Sequence, residues 1–291
     1  MDAQTTARPI PVEFTGSGGV RLVGDRWETD DRPTDSTEGT VLLLHGGGQT
    51  RHSWDRTAAR LAEGGWRAVT LDARGHGDSE WAPEYSAELF AADLEAVLAD
   101  LGGRVVVVGA SLGGRTGIVV AGERPRSLAG LVLVDITHRI DRTGQRRVRD
   151  FLGAAPNGFA SLDDASAAID AFRGTPPRRR RSDGLRKNLR LRGDGRWYWH
   201  WDPAFVGYAD NRGNSDERRL AALAARIAVP TLIVHGTRSE IVSREAVDEM
   251  LALVPNSEAV EVDAGHMIAG DDNEAFALHL EGFLERALPS R

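Results

Sequence analysis

From Val41 onward, short and almost unbroken apolar runs recur along the chain: Val41-Leu42-Leu43-Leu44, Ala68-Val69-Thr70-Leu71, Val105-Val106-Val107-Val108, Leu131-Val132-Leu133-Val134 and Thr231-Leu232-Ile233-Val234. Runs of this length predict strands buried on both faces, as in a parallel sheet covered by helices. Between them lie helical stretches over Trp54 to Glu63, Ser86 to Leu101 and the segment after Ser111. In the second, Leu89, Leu94, Val97 and Leu98 make one apolar stripe, with Ser86 as an N-cap three residues before Leu89. Upstream, Val12 to Phe14 and Val20 to Trp27 alternate loosely around Gly16-Ser17-Gly18-Gly19 and predict an exposed antiparallel hairpin, followed by a polar loop from Thr29 to Gly39. Near the end, a strand from Thr231, a helix over Ser243 to Leu253, a strand over Ala259 to Val262 and a helix from Asp271 to Ala287 are expected.

Strands alternating with helices predict an α/β fold with a mostly parallel sheet flanked by helices. Ligands of such sheets collect beyond the carboxyl ends of the strands. The runs therefore aim His45, Asp72, Ser111, Asp135 and the residues from Gly236 onward at one edge. The rhythm breaks between His138 and Ser215, where Thr175-Pro176-Pro177, Arg178 to Arg181 and Trp197-Tyr198-Trp199-His200-Trp201 occur. This stretch predicts a helical cap insertion over residues 138–215, with the core formed by 1–137 and 216–291.

Composition narrows the chemistry. A length of 291 residues, 41% of them hydrophobic, suits one α/β domain with an insertion. The formal charge of -7 weighs against nucleic-acid and anionic-membrane partners, and the run Arg178 to Arg181 reads as a solvated surface. With no cysteine, thiol nucleophiles, disulfides and thiolate metal sites are excluded. Met1 to Thr6 carry no basic stretch leading into an apolar run, and no window approaches the roughly 20 apolar residues that span a bilayer. A cytoplasmic monomer or homodimer acting on a small molecule is expected. Neither a phosphate-binding glycine motif nor a metal-ligand spacing follows a suitable strand, so no cofactor and no metal are expected.

One constellation carries chemistry. Four valines lead into Gly109-Ala110-Ser111-Leu112-Gly113-Gly114 and then a helix. Glycines around a serine in a sharp strand-to-helix turn leave its hydroxyl exposed in a strained conformation, the geometry of a nucleophile. The first buried strand ends in His45-Gly46-Gly47-Gly48, whose small residues let the Gly47 amide approach a reacting carbonyl, and the Leu112 amide is the second oxyanion donor. His45 reads as a residue that fixes this loop. The general base is expected at His266, in the loop after the last strand, while His235 and His279 read as structural and His76 lies in the turn Arg74 to Ser79. For the carboxylate that orients the base, Glu240 is favoured and Asp135 is the alternative; Asp263 is expected to point away. Gly48, Trp197, Trp199, Trp201 and Met267 are expected to line the substrate pocket, with some of the aromatics forming the core of the cap instead.

On these motifs, and on His45 to Trp54 and Asp72 to Ser79, the chain from about Val12 to Leu288 resembles the α/β-hydrolase superfamily, in particular capped esterases and cofactor-free haloperoxidase-like members. The order serine, acid, histidine is the superfamily's. In many of its members the acid is an aspartate around the Gly236 to Glu240 position, where this chain has Ser239 and Glu240. Relatives with an aspartate nucleophile, epoxide hydrolases and haloalkane dehalogenases, are set aside by Ser111. The expected function is hydrolysis of a small, largely apolar ester, with lactone and thioester open. One alternative is carbon-carbon bond hydrolysis by the same triad, with Arg115, Arg186 or His138 serving a carbonyl pocket; another is a non-catalytic binding protein on this fold.

Overall fold

The structure is a computed structural model that describes residues 7–29, 39–124, 128–174, 182–210, 214–266, 268 and 274–288. Met267, Pro176, Pro177, the run Arg178 to Arg181 and most of the polar loop before Gly39 lie outside the described residues. In chain order the elements are β1 (Arg8–Thr15), β2 (Arg21–Glu28), β3 (Thr40–Leu44), α1 (Asp55–Glu63), β4 (Arg67–Leu71), α2 (Ala87–Leu101), β5 (Val105–Ala110), α3 (Leu112–Glu123) and β6 (Gly130–Val134). There follow α4 (Arg142–Gly153), α5 (Leu162–Arg173), β7 (Leu189–Leu191), β8 (Trp197–Trp199), α6 (Ala204–Asp210) and α7 (Asn214–Ala224). The chain closes with β9 (Thr231–Gly236), α8 (Arg244–Leu253), β10 (Ser257–Val262) and α9 (Glu274–Ala287).

Eight strands form one sheet in the order β1-β2-β4-β3-β5-β6-β9-β10. From β4 to β10 all neighbours are parallel, and β2 joins antiparallel to β4. Because successive side chains of a strand point to opposite faces, the apolar runs fill two cores at once. Leu42, Val107 and Leu133 face α2, α3 and α8, while Val41, Val106 and Val132 face α1 and α9. The hairpin of β1 and β2 forms as expected, but only β1 is exposed. Its partner β2 is largely buried because it is hydrogen-bonded on both sides.

Helix starts follow local chemistry. Ser86 caps α2 by accepting a hydrogen bond from the Leu89 N–H at 3.1 Å, and Ser243 caps α8 through the Ala246 N–H at 3.2 Å. The expected stripe of α2 holds at Leu94, Val97 and Leu98, which are buried, but Phe90 and Ala91 join it in place of Leu89, which is half-buried. Between β6 and β9 the chain forms α4, α5, α6 and the small hairpin β7-β8, a strand pair that the aromatic cluster did not announce. The helix α7 packs against α3 and α8 beside the sheet.

Candidate active site

Strand register delivers the candidate residues to one edge. Leu44 pairs with Gly109, Ala110 with Val134, Val134 with Val234, and Gly236 with Val262. The residues that follow these strand ends therefore emerge side by side: His45, Ser111, Asp135, Ser239 and His266.

Ser111 sits between β5 and α3 with φ 44° and ψ −105°. An L-residue held there costs of order 1–3 kcal/mol, which the surrounding structure must supply. It does so by close approach: a Cβ on Gly113 would lie 2.6 Å from the Leu44 carbonyl oxygen, and one on Gly109 would collide with the backbone of Gly113. The Gly113 N–H donates to the His45 carbonyl at 3.2 Å, tying the turn to the end of β3.

Asp135 follows β6, is fully buried, and also has a positive φ of 49°. Its Oδ1 accepts from the Gly236 N–H at 3.0 Å. Its Oδ2 accepts from the Ser239 hydroxyl at 2.5 Å and lies 2.7 Å from His266 Nδ1. A buried carboxylate at that distance selects the tautomer with the proton on Nδ1, leaving Nε2 unprotonated. The favoured carboxylate of the sequence reading does not reach this point. Glu240 is exposed and ion-paired with Arg147 of α4, because Ser239 takes the inward position at the end of β9 and the next side chain turns to solvent. Asp263 pairs with Arg238 at the surface.

The loop after β3 is a turn in which the Gln49 N–H donates to the Gly46 carbonyl at 3.0 Å. Among the described residues neither the Gly47 nor the Leu112 N–H is engaged in a hydrogen bond. His45 fixes the loop: its Nδ1–H donates to the Gly46 carbonyl at 2.8 Å, and its Nε2 accepts from the Ala73 N–H at 3.0 Å. Burial lowers its pKa.

Residues from between β6 and β9 pack onto this loop. Phe205 Cζ stands 3.0 Å from where a Gly47 Cβ would be. Leu152 and Trp201 occupy the space over Gly48. Trp201 is buried together with Phe90, Leu112, Leu152 and Phe205, and Trp199 stacks on it at 4.9 Å between centroids. Trp197 differs from Trp201. It packs with Leu162, Leu185 and Leu189 in a separate cluster, exchanges backbone hydrogen bonds with Phe159 and carries Arg186 over its ring at 4.9 Å. That cluster is built of residues between β6 and β9, and Trp199 touches both clusters. The polar groups considered for a carbonyl pocket are engaged as well: Arg115 pairs with Asp216 and His138 with Glu249.

Sequence reading named Ser239 only as the neighbour of Glu240, did not single out Leu152 or Phe205, and treated His76 only as part of a turn. Ser239 carried a signal, since it occupies the region where a carboxylate was sought. Among the described residues no group of three or more potential ligands is placed to hold a metal ion, and no helix is long and apolar enough to cross a membrane.

Comparison with known proteins decides the family, since a family model described as the α/β hydrolase fold matches residues 39–272. The chain belongs to the α/β-hydrolase fold family. This α/β hydrolase is 31% identical over 258 residues to an esterase of Mycobacterium tuberculosis, covering 84% of this chain and 82% of that protein. It is 29% identical over 243 residues to a 3-hydroxybutyrate-oligomer hydrolase of Cupriavidus necator, with coverages of 78% and 82%. Among solved structures, an α/β hydrolase of Novosphingobium aromaticivorans aligns with a TM-score of 0.77 at 27% identity, over 96% of this chain and 99% of that one. Kinship with esterases and hydrolases supports a hydrolytic enzyme.

Proposed function

We propose that this α/β hydrolase cleaves small, largely apolar carboxylic esters through an acyl-enzyme on Ser111. The observation that carries the reading is the convergence of a strained serine after β5, a buried carboxylate after β6 and a histidine bonded to it at 2.7 Å, all at one sheet edge. Ser111 Oγ attacks the carbonyl carbon while His266 Nε2 takes its proton, then returns that proton to the leaving alcohol. Asp135 keeps the imidazole in the working tautomer and stabilises the imidazolium. The amides of Gly47 and Leu112 receive the oxyanion, and water repeats the sequence to release the acid. Residues 138–215 act as the cap, with Trp201, Trp199 and Leu152 supplying an apolar wall beside the oxyanion loop. The esterases among the relatives favour the same bond.

The test is labelling with a fluorophosphonate followed by turnover of p-nitrophenyl esters of increasing chain length. We expect Ser111 to carry the label and Ser111→Ala to lose most of kcat, down to the residual rate of about 10³ to 10⁴ over water that binding and an oxyanion hole sustain. A folded Ser111→Ala enzyme with most of the wild-type kcat/KM would remove the serine from the mechanism.

A further inference from the structure

We infer that His76 is a positioning residue of the oxyanion loop, its neutral imidazole locking the central peptide of the Gly46 to Gln49 turn from beneath. The inference rests on the serine-hydrolase reading for its consequence in catalysis, but its geometry stands apart from it. His76 Nε2 accepts from the Gly48 N–H at 3.2 Å, and its Nδ1–H donates to the Arg74 carbonyl at 3.0 Å. An imidazole doing both must be neutral, with its proton on Nδ1.

The turn needs such a lock. Gly48 has φ 77° while Gly47 is not in the positive region, the pattern of a type II turn. Types I and II differ by rotation of the peptide between the two central residues, and two glycines offer no side chain to resist it. Rotation would swing the Gly47 carbonyl onto the His76 lone pair and reverse the dipole of the peptide next to the Gly47 amide. The imidazole therefore selects one orientation.

His76 is itself held. Its ring has no exposure, meets Phe205 edge-on at 4.5 Å and lies 5.1 Å from the His45 ring. Its backbone forms a bridge with Trp201. Burial, then the neighbouring His45, lowers its pKa to about 3, with His200 adding to the effect. The acceptor thus stays unprotonated across the range in which a serine hydrolase works.

Ring ¹⁵N NMR of the wild-type protein should find His76 neutral and protonated on Nδ1 from pH 8 to 5. Protonation near 6.5, or a proton on Nε2, would overturn the proposal. His76→Phe keeps the ring packing and deletes the acceptor. For this variant we expect a kcat at least 10-fold lower with KM within threefold, a parallel loss of affinity for a trifluoromethyl ketone, and at least 10-fold faster exchange of the Gly48 amide proton. Substantial recovery in His76→Gln, whose side-chain oxygen can accept, is expected. A folded His76→Phe with unchanged kcat and unchanged Gly48 exchange would sink the assignment. If fluorophosphonate leaves Ser111 untouched, the catalytic reading fails, while the ring tautomer and Gly48 exchange still decide the role of His76. Should His76→Phe not fold, the wild-type spectrum decides alone.

Discussion

A carboxylate with no exposure and three donors around it has little freedom in what it can do. Asp135 holds the Gly236 amide, the Ser239 hydroxyl and the His266 imidazole together. Asparagine there keeps the shape but presents an amide where a charge is required, and it favours the wrong imidazole tautomer. Asp135→Asn is expected to cost kcat as much as ~10⁴. Glu240→Gln removes only an exposed ion pair with Arg147, a contact worth about 0–1 kcal/mol, so its kcat should stay within about twofold of wild type. Steady-state kinetics on both variants, each shown to be folded by circular dichroism, settles the pair. A crippled Glu240→Gln beside an active Asp135→Asn would reverse the assignment.

At the scale of elements, the join of β5 to α3 depends on glycines that admit neighbouring backbone. Gly113→Ala would drive a methyl group toward the Leu44 carbonyl, and overpacking of this kind costs about 1–3 kcal/mol. Gly153→Ala, at the end of α4 with nothing within 4 Å of the added Cβ, should be neutral or slightly stabilising. Chemical denaturation of the two variants tests the contrast; equal stabilities would show that the join tolerates bulk. This join was legible in the sequence, because four buried valines, a glycine-flanked serine and a helix leave few alternatives. The sheet and its helices were legible for the same reason, as apolar runs and caps are local signals. The acid was not. Whether Asp135 or Glu240 meets His266 depends on which side chain after β9 turns inward, a matter of one residue of register that only packing decides. The aromatic run was expected to divide between two roles, but nothing in it told which of Trp197 and Trp201, four positions apart, would join which cluster.

The molecule as a whole buries neutral histidines beside ionised carboxylates, and both should make it acid-sensitive. Burial lowers the pKa of His45, lowers that of His200 to about 4 and that of His76 to about 3. Between these values and the unfolded value near 6.5, the unfolded chain binds more protons than the folded one, so stability falls as pH falls. Although burial opposes it, pairing with Arg51 and Arg190 holds Asp78 at about 2, which adds a loss of the same sign at lower pH. We expect Tm to be nearly flat from pH 8 to 7 and to decline steadily from about 6.5 to 4. Differential scanning calorimetry across that range checks this, and a protein more stable at pH 5 than at pH 7 would contradict it.

Adjacent strands that end nearly level with one another leave a buried carboxylate free to change its address. Val134 of β6 pairs with Val234 of β9, and just past β9 the Ser239 hydroxyl donates to the same Asp135 oxygen that holds the His266 imidazole, so positions 135 and 239 meet at one point from different segments of the chain. Ser239→Asp alone would crowd a second carboxylate against the first, raising the pKa of one of them. Combined with Asp135→Asn, it would move the acid from one strand end to the other without altering the fold. The double variant is expected to recover at least about 10-fold in kcat over Asp135→Asn alone, a small part of the ~10⁴ that a triad acid can contribute. If it recovers nothing, the two positions share a neighbour but not a function.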